Sequence, residues 1–227
     1  MNFDLIFSDA IKIIYNLDRD YLDIILISLQ VSVSAIIISA ALSVPLSYII
    51  AINNFYFKGM INIIINTMLA LPPVVVGLLL YILLSYNGVL GKLNILYSVS
   101  AMIIAQVILI TPIIISLTIE TFKKQNEKYC EYLISIHANS YYKMMTIITE
   151  SRHEIIINLL IGFSRALSEV GAIIIVGGNI AHLTRTMTTG IVLETSKGEL
   201  STALSLGVTL IFLALLINLF LYYVKKI

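Results

Sequence analysis

Two side chains carry charge inside an otherwise apolar stretch. Residues 155–184 contain no Asp, Glu, Lys or Arg except Arg165 and Glu169. Four residues apart on a helix, the two share one face and can neutralise each other. A charge centred in a bilayer costs on the order of 2.5–3.5 kcal/mol even on a lenient insertion scale. The pair, with Ser168 beside Glu169, is therefore either a structural ion pair that lets the helix insert or part of a pathway or gate. Pro72 and Pro73 lack the amide hydrogens that would bond to Met68 and Leu69, which predicts a bend. Carbonyls freed there either line a polar path or belong to a static kink. A third polar set comprises His182, Arg185 and the threonines Thr184, Thr186, Thr188 and Thr189. It suits contact with a docking protein or an anion through hydroxyls and charge, or a loop covering an outer mouth.

Other chemistries find no constellation. His182 has no second metal ligand at suitable spacing, and His153 between Glu150 and Glu154 reads as an exposed helical face. The single cysteine, Cys130, excludes an internal disulfide and a cysteine-cluster metal site. Gly91-Lys92 is followed by Leu93 and does not complete a phosphate-cradling loop. No cofactor, metal or catalytic set is expected, so this chain reads as a non-enzyme.

The elements that must position these residues follow from composition. Hydrophobic residues make up 59%, charged residues 12%, and the mean hydropathy is +0.99. Too little polar surface exists to cover a water-soluble globule of this size. The net charge of +1 gives no basic field for nucleic acid. Residues 24–57, 59–91, 93–119 and 200–224 are free of Asp, Glu, Lys and Arg. Each run exceeds the roughly 20 residues that cross a ~30 Å hydrocarbon layer as a helix. With 155–177, five membrane helices are predicted, near 24–50, 61–84, 97–121, 155–177 and 201–224, in an all-α integral membrane fold.

Residues 1–22 place Phe3, Ile6, Ala10, Ile13, Ile14 and Leu17 at helical spacing. They are read as a surface helix, lying on the bilayer or packed on the bundle. Asp4 and Asp9 stand where a signal peptide would be basic, so the segment is expected to stay on the chain. Placing the N-terminus outside and the C-terminus inside puts Lys58, Lys123, Lys124, Lys128, Lys143, Arg152, Lys225 and Lys226 in the cytoplasm. That orientation obeys the positive-inside rule. Residues 178–200 then form an external loop, and 122–154 a long cytoplasmic segment without Pro or Gly. Its Tyr132, Leu133, Ile136, Tyr141, Met144, Met145 and Ile148 either anchor a partner or pack on the bundle ends.

Within that segment, Glu131-Tyr-Leu-Ile-Ser-Ile-His137-Ala138-Asn139-Ser140-Tyr141 resembles the EAA loop of ABC importer permeases. Tyr132 and Leu133 replace the two alanines, and His137 stands where the motif has glycine. Ala70-Leu-Pro72-Pro73-Val-Val-Val-Gly77 and Gly162-Phe-Ser-Arg165-Ala-Leu-Ser168-Glu169-Val-Gly171 resemble the molybdate, tungstate and sulfate group of these permeases. The stretches 176–190 and 193–199 are most similar to the tungstate branch.

The resemblance, which spans nearly the whole chain, implies a type I ABC importer permease forming one transmembrane domain over 1–227. It implies a homodimer in a prokaryotic cell membrane, a cytoplasmic ATPase subunit docked on Glu131 and His137 to Tyr141, and an extracytoplasmic binding protein touching His182, Arg185 and Thr188. The expected cargo is a tetrahedral oxyanion, tungstate or molybdate. A permease for sulfate or another solute, or a standalone carrier or channel, is the alternative.

Overall fold

The computed structural model describes residues 3–16 and 18–226, with side chains described for 5–16 and 18–224. Leu17 lies outside them, as do the side chains of Phe3, Asp4, Lys225 and Lys226. All regular structure among the described residues is helical. Helix α1 is Phe3–Asn16, α2 Arg19–Ile52, α3 Lys58–Leu69, α4 Pro73–Leu84 and α5 Val99–Ser135. Then come α6 (Ser140–Glu150), α7 (Arg152–Leu167), α8 (Gly171–Gly177), α9 (Met187–Lys197) and α10 (Leu200–Lys226).

Three helices, α2, α5 and α10, are each long and apolar enough to cross a membrane. The predicted second and fourth spans are instead pairs, α3 with α4 bent by 98° and α7 with α8 bent by 60°. Counting each pair as one crossing gives up to five. The second bend was expected as a kink; two prolines in succession make it a full break. The bend in the fourth was not expected at all, since no proline or polar run marks it.

The most extensive helix contact is between α2 and α5. Small residues make it possible: Ser32, Ala35, Ser39, Ser43 and Ser47 of α2 are all buried and let the backbones approach. Thr111 Oγ1 donates to Ser39 Oγ at 3.1 Å, and Ser47 Oγ donates to the Ile115 carbonyl at 3.2 Å. Rising register on both helices means that they run parallel. Helix α7 runs the other way along α5: buried Asn158 Nδ2 donates to Thr121 Oγ1 at 3.1 Å, while Gln106 reaches Ala166. Such interhelical bonds are worth about 0.6–2 kcal/mol each in a bilayer.

Apolar clusters follow one another along the bundle's length. At the α6 end, Phe122 and Ile119 of α5 pack with Ile50, Ile65, Ile147 and Ile155. Toward the other end, Val76, Leu80 and Leu84 of α4 pack with Ala172, Ile173 and Val176 of α8 and with Met102. Helix α1 lies against α10, with Ala10 buried and Ile13 and Ile14 packed beside Tyr21, Met187 and Leu206. The helix thus packs on the bundle through one face, while its Phe7, Ile11 and Tyr15 are exposed on the other. The outward row Ile211, Phe212, Leu215, Leu219 of α10 is a face suited to lipid.

Candidate functional site

The two helix breaks pack against each other. A Cβ on Gly77 of α4 would lie 2.8 Å from Ala172 Cα of α8, and one on Gly171 would lie 2.8 Å from Val74 Cγ2. Only hydrogen fits at either position. The α3–α4 break is built from proline: Ala70 and Leu71 close the last turn of α3, Pro72 is extended, and Pro73 opens α4. Proline suits that first helical position because no partner is owed to its nitrogen.

At the α7–α8 break, side chains supply what the backbone lacks. Gln106 Nε2 of α5, fully buried, donates to the Ala166 carbonyl at 2.9 Å, and Ser168 Oγ donates to the Arg165 carbonyl at 3.0 Å. Glu169 sits in the break itself and is 5% exposed. Its Oε2 lies 3.4 Å from Arg165 Nη2, and its Oε1 accepts the Ala172 amide at 3.4 Å, capping α8. Thr188 Oγ1 donates to the Glu169 carbonyl at 2.9 Å. The Arg165 side chain remains 47% exposed, so the pair has one buried and one accessible member. The break is thus a hydrogen-bonded polar junction with a cation on its open side, in which Gln106 Oε1 alone is buried without a partner among these residues.

The segment 178–200, expected as an external loop, is a packed element. Thr184 Oγ1 donates to the Gly177 carbonyl and accepts the Ile180 amide; Thr186 and Thr189 form a reciprocal cap on α9. Met187 N donates to Ser28 Oγ at 2.8 Å. Met187, Thr188, Thr189 and Gly190 are all buried. Thr188 is therefore not a surface contact for a docking protein; its hydroxyl is spent on Glu169. His182 remains exposed, with Nδ1 3.0 Å from Asp23 Oδ2, and Arg185 is half-buried beside a cavity lined by Asp18, Asp20, Glu194 and Thr202.

At the opposite end, α5 runs 37 residues, about 55 Å at ~1.5 Å each, well beyond a ~30 Å hydrocarbon layer. Its last turns carry Glu131, exposed, into the turn before α6. His137 adopts φ +52°, the left-handed conformation that glycine accepts freely and histidine at a cost of about 1–2 kcal/mol. The geometry expected of a glycine is thus kept without one. Asn139 caps α6 by accepting the Tyr142 amide at 2.9 Å, with Ala138 half-buried and Ser140 exposed beside it. Tyr129 Oη reaches Glu150 Oε2 at 2.7 Å and ties α6 back to α5. Of the apolar residues predicted here, Leu133 is buried and Ile148 packs on the core, while Tyr132, Ile136, Tyr141 and Met145 are exposed. Among the described residues no group of three or more His, Cys, Asp or Glu is placed to hold a metal.

Over 97% of its length the chain is 36% identical to the tungstate uptake system permease protein of Peptoclostridium acidaminophilum, covering 96% of that protein. The chain belongs to the ABC permeases of the molybdate and tungstate group. A second tungstate uptake system permease, from Campylobacter jejuni, is 34% identical over 97% of this chain and 92% of its own. A probable anion ABC transporter permease from Haloferax volcanii is 36% identical over 85% of each chain. No family model matches the chain.

For a permease of this group, sequence reasoning placed Arg165, Ser168 and Glu169 in the middle of one continuous helix, whereas α7 ends at Leu167 and leaves Ser168 and Glu169 in the break; it also missed Gln106 and the inward use of Thr188. Gln106 carried a signal, being the only side-chain amide between residues 95 and 124. Nothing in the threonine run indicated which way it faced.

Proposed function

We propose that the chain is the transmembrane subunit of an ATP-driven importer of tungstate, with molybdate as a second substrate. In this reading residues 1–227 act as one permease domain, two copies surround the path, and ATP is hydrolysed by a separate cytoplasmic subunit. The N-terminus lies outside and the C-terminus inside, which places α6 in the cytoplasm. A binding protein delivers the oxyanion to the outer face near His182 and Arg185. The relatives' names favour tungstate and molybdate over sulfate or an amino acid.

The observation that carries the reading is the state of α6. This short helix is fixed from within by Ile147 and its Asn139 cap, yet it presents Tyr141, Tyr142 and Met145 outward next to Tyr132 and Ile136. A helix so held, with aromatic anchors facing away from its own bundle, fits a groove on another subunit. Movement of α6 would reach the Arg165–Glu169 junction through α7, which follows it after a single residue. Arg165 supplies a transient contact to the passing anion, and Glu169 keeps that contact weak enough for release.

The test is purification of the chain from cells that also express its ATP-binding subunit, with and without Tyr141→Ala plus Met145→Ala. The parent is expected to bring that subunit down and to support ATP-dependent tungstate uptake in vesicles. The double variant is expected to reach the membrane but lose the subunit. Uptake by this polypeptide alone, without any ATPase, would refute the reading.

A further inference from the structure

A polar groove lies between α3 and α5, in the half of the bundle nearer α6. Asn62 and Asn66 of α3 face Ser116, Glu120 and Lys123 of α5 across a cavity of about 180 Å³, floored by Ile65 and Ile119. The spacings, four on α3 and four then three on α5, place each set on one helix face. Among the described residues, none of these five side chains has a hydrogen-bond or ion-pair partner in the chain. Asn66 and Ser116 belong to apolar runs of membrane-crossing length, and the neighbouring Ile63 is 67% exposed. Unpaired amides cannot face hydrocarbon cheaply. Elsewhere in the bundle Asn158, Gln106 Nε2 and the α2 residues Ser28, Ser39, Ser43 and Ser47 find donors or acceptors.

We infer that this groove is a water-filled half of the anion path, running from the Pro72–Pro73 break down the face of α3 to the α6 side. The inference rests on the importer reading above and gives it an exit. Asn66 lies three residues, about 5 Å at ~1.5 Å each, from the end of α3, and Asn62 one turn further. The cavity has room for about six waters at ~30 Å³ each. Its donors, two amides, a hydroxyl and the Lys123 ammonium, suit the oxygens of a hydrated tetrahedral oxyanion. Glu120, three residues from Lys123, opposes the same anion and prevents it from lodging.

Cysteine accessibility decides the point. In a Cys130→Ser background, Asn66→Cys, Ser116→Cys and Ile63→Cys are placed singly in the chain, co-expressed with its ATP-binding subunit. A further Tyr141→Cys variant marks the side on which α6 lies, whichever side of the membrane that is. Membrane vesicles of both orientations are treated with a membrane-impermeant, anionic methanethiosulfonate. Positions 66 and 116 are expected to react from the side that labels position 141, at least roughly tenfold faster than position 63, and to be slowed by added tungstate. Reaction no faster than at position 63, reaction only from the opposite side, or disulfide formation between two copies at position 66 without labelling would overturn the inference. Loss of the ATP-binding subunit from the Cys130→Ser parent would instead count against the importer reading, while the labelling pattern still reports on the groove.

Discussion

Between α3 and α4 the chain turns through 98° at two prolines, whereas between α7 and α8 it turns through 60° with no proline at all. The first turn is covalent in origin: two successive nitrogens without hydrogens remove two adjacent helix donors and break the helix, whereas the single Pro45 and Pro112 leave α2 and α5 continuous. The second is held by side chains, namely Glu169 to Arg165 and to the Ala172 amide, Gln106 to Ala166, and Thr188 to the Glu169 carbonyl. A turn built from prolines is fixed, but one built from ion pairs and hydrogen bonds can exchange partners. Through Gly77 and Ala172 an elbow set by prolines packs against one held by side chains.

The sharpest way to break this pairing is to separate the elbows. Gly77→Leu drives a side chain into the Ala172 backbone, and we expect a loss of roughly 3 kcal/mol or more, seen as failure to recover folded chain from membranes. Next in size is Glu169→Ala, which removes the buried partner of Arg165 and the α8 cap. Because Arg165 is half-exposed, the stability cost is discounted to about 1–2 kcal/mol, but uptake should fall far more than the amount of assembled complex. Uptake equal to the parent's would mean that the junction is structural only. Replacing both Pro72 and Pro73 by alanine restores two amide donors; helix content measured by circular dichroism should rise slightly while transport drops. Pro73→Ala alone, at a first helical position, should cost under ~1 kcal/mol, so a strong effect of that single change would show that the elbow depends on Pro73. The smallest effect is expected from Thr188→Val, which deletes one buried bond worth about 1 kcal/mol. Hydrogen exchange of the α8 amides is the measurement to make, and faster exchange there, with α2 unchanged, is the expected result.

How much of this was legible beforehand depended on whether a signal was covalent and local. Pro72-Pro73, the charge-free runs and the lone Arg165–Glu169 pair are such signals, and each marks a feature that the fold contains. The 60° break at Ser168-Glu169-Val170 has no local signature; Gln106 and Thr188, 60 and 19 residues away in the chain from their partners Ala166 and Glu169, come to its open backbone groups. The threonine segment was misread for a related reason. Hydroxyls look hydrophilic in a sequence, yet Thr184, Thr186, Thr188 and Thr189 pair with carbonyls and with one another inside the bundle. His137 shows the converse, since a residue poorly suited to a left-handed turn occupies it when the flanking helices demand the turn.

Hydropathy and the Pro72-Pro73 pair determined that this chain lives in a bilayer, roughly where it crosses, and where one crossing is interrupted, because apolar length and two successive missing amide hydrogens are local properties of the chain, whereas a lone proline such as Pro45 or Pro112 leaves its helix unbroken. Tertiary structure alone decided which polar groups face inward and which stay open. That choice is made by partners distant in sequence: Thr188 turns in because Glu169 is there to accept, and Asn66 stays open because no group among the described residues pairs with it.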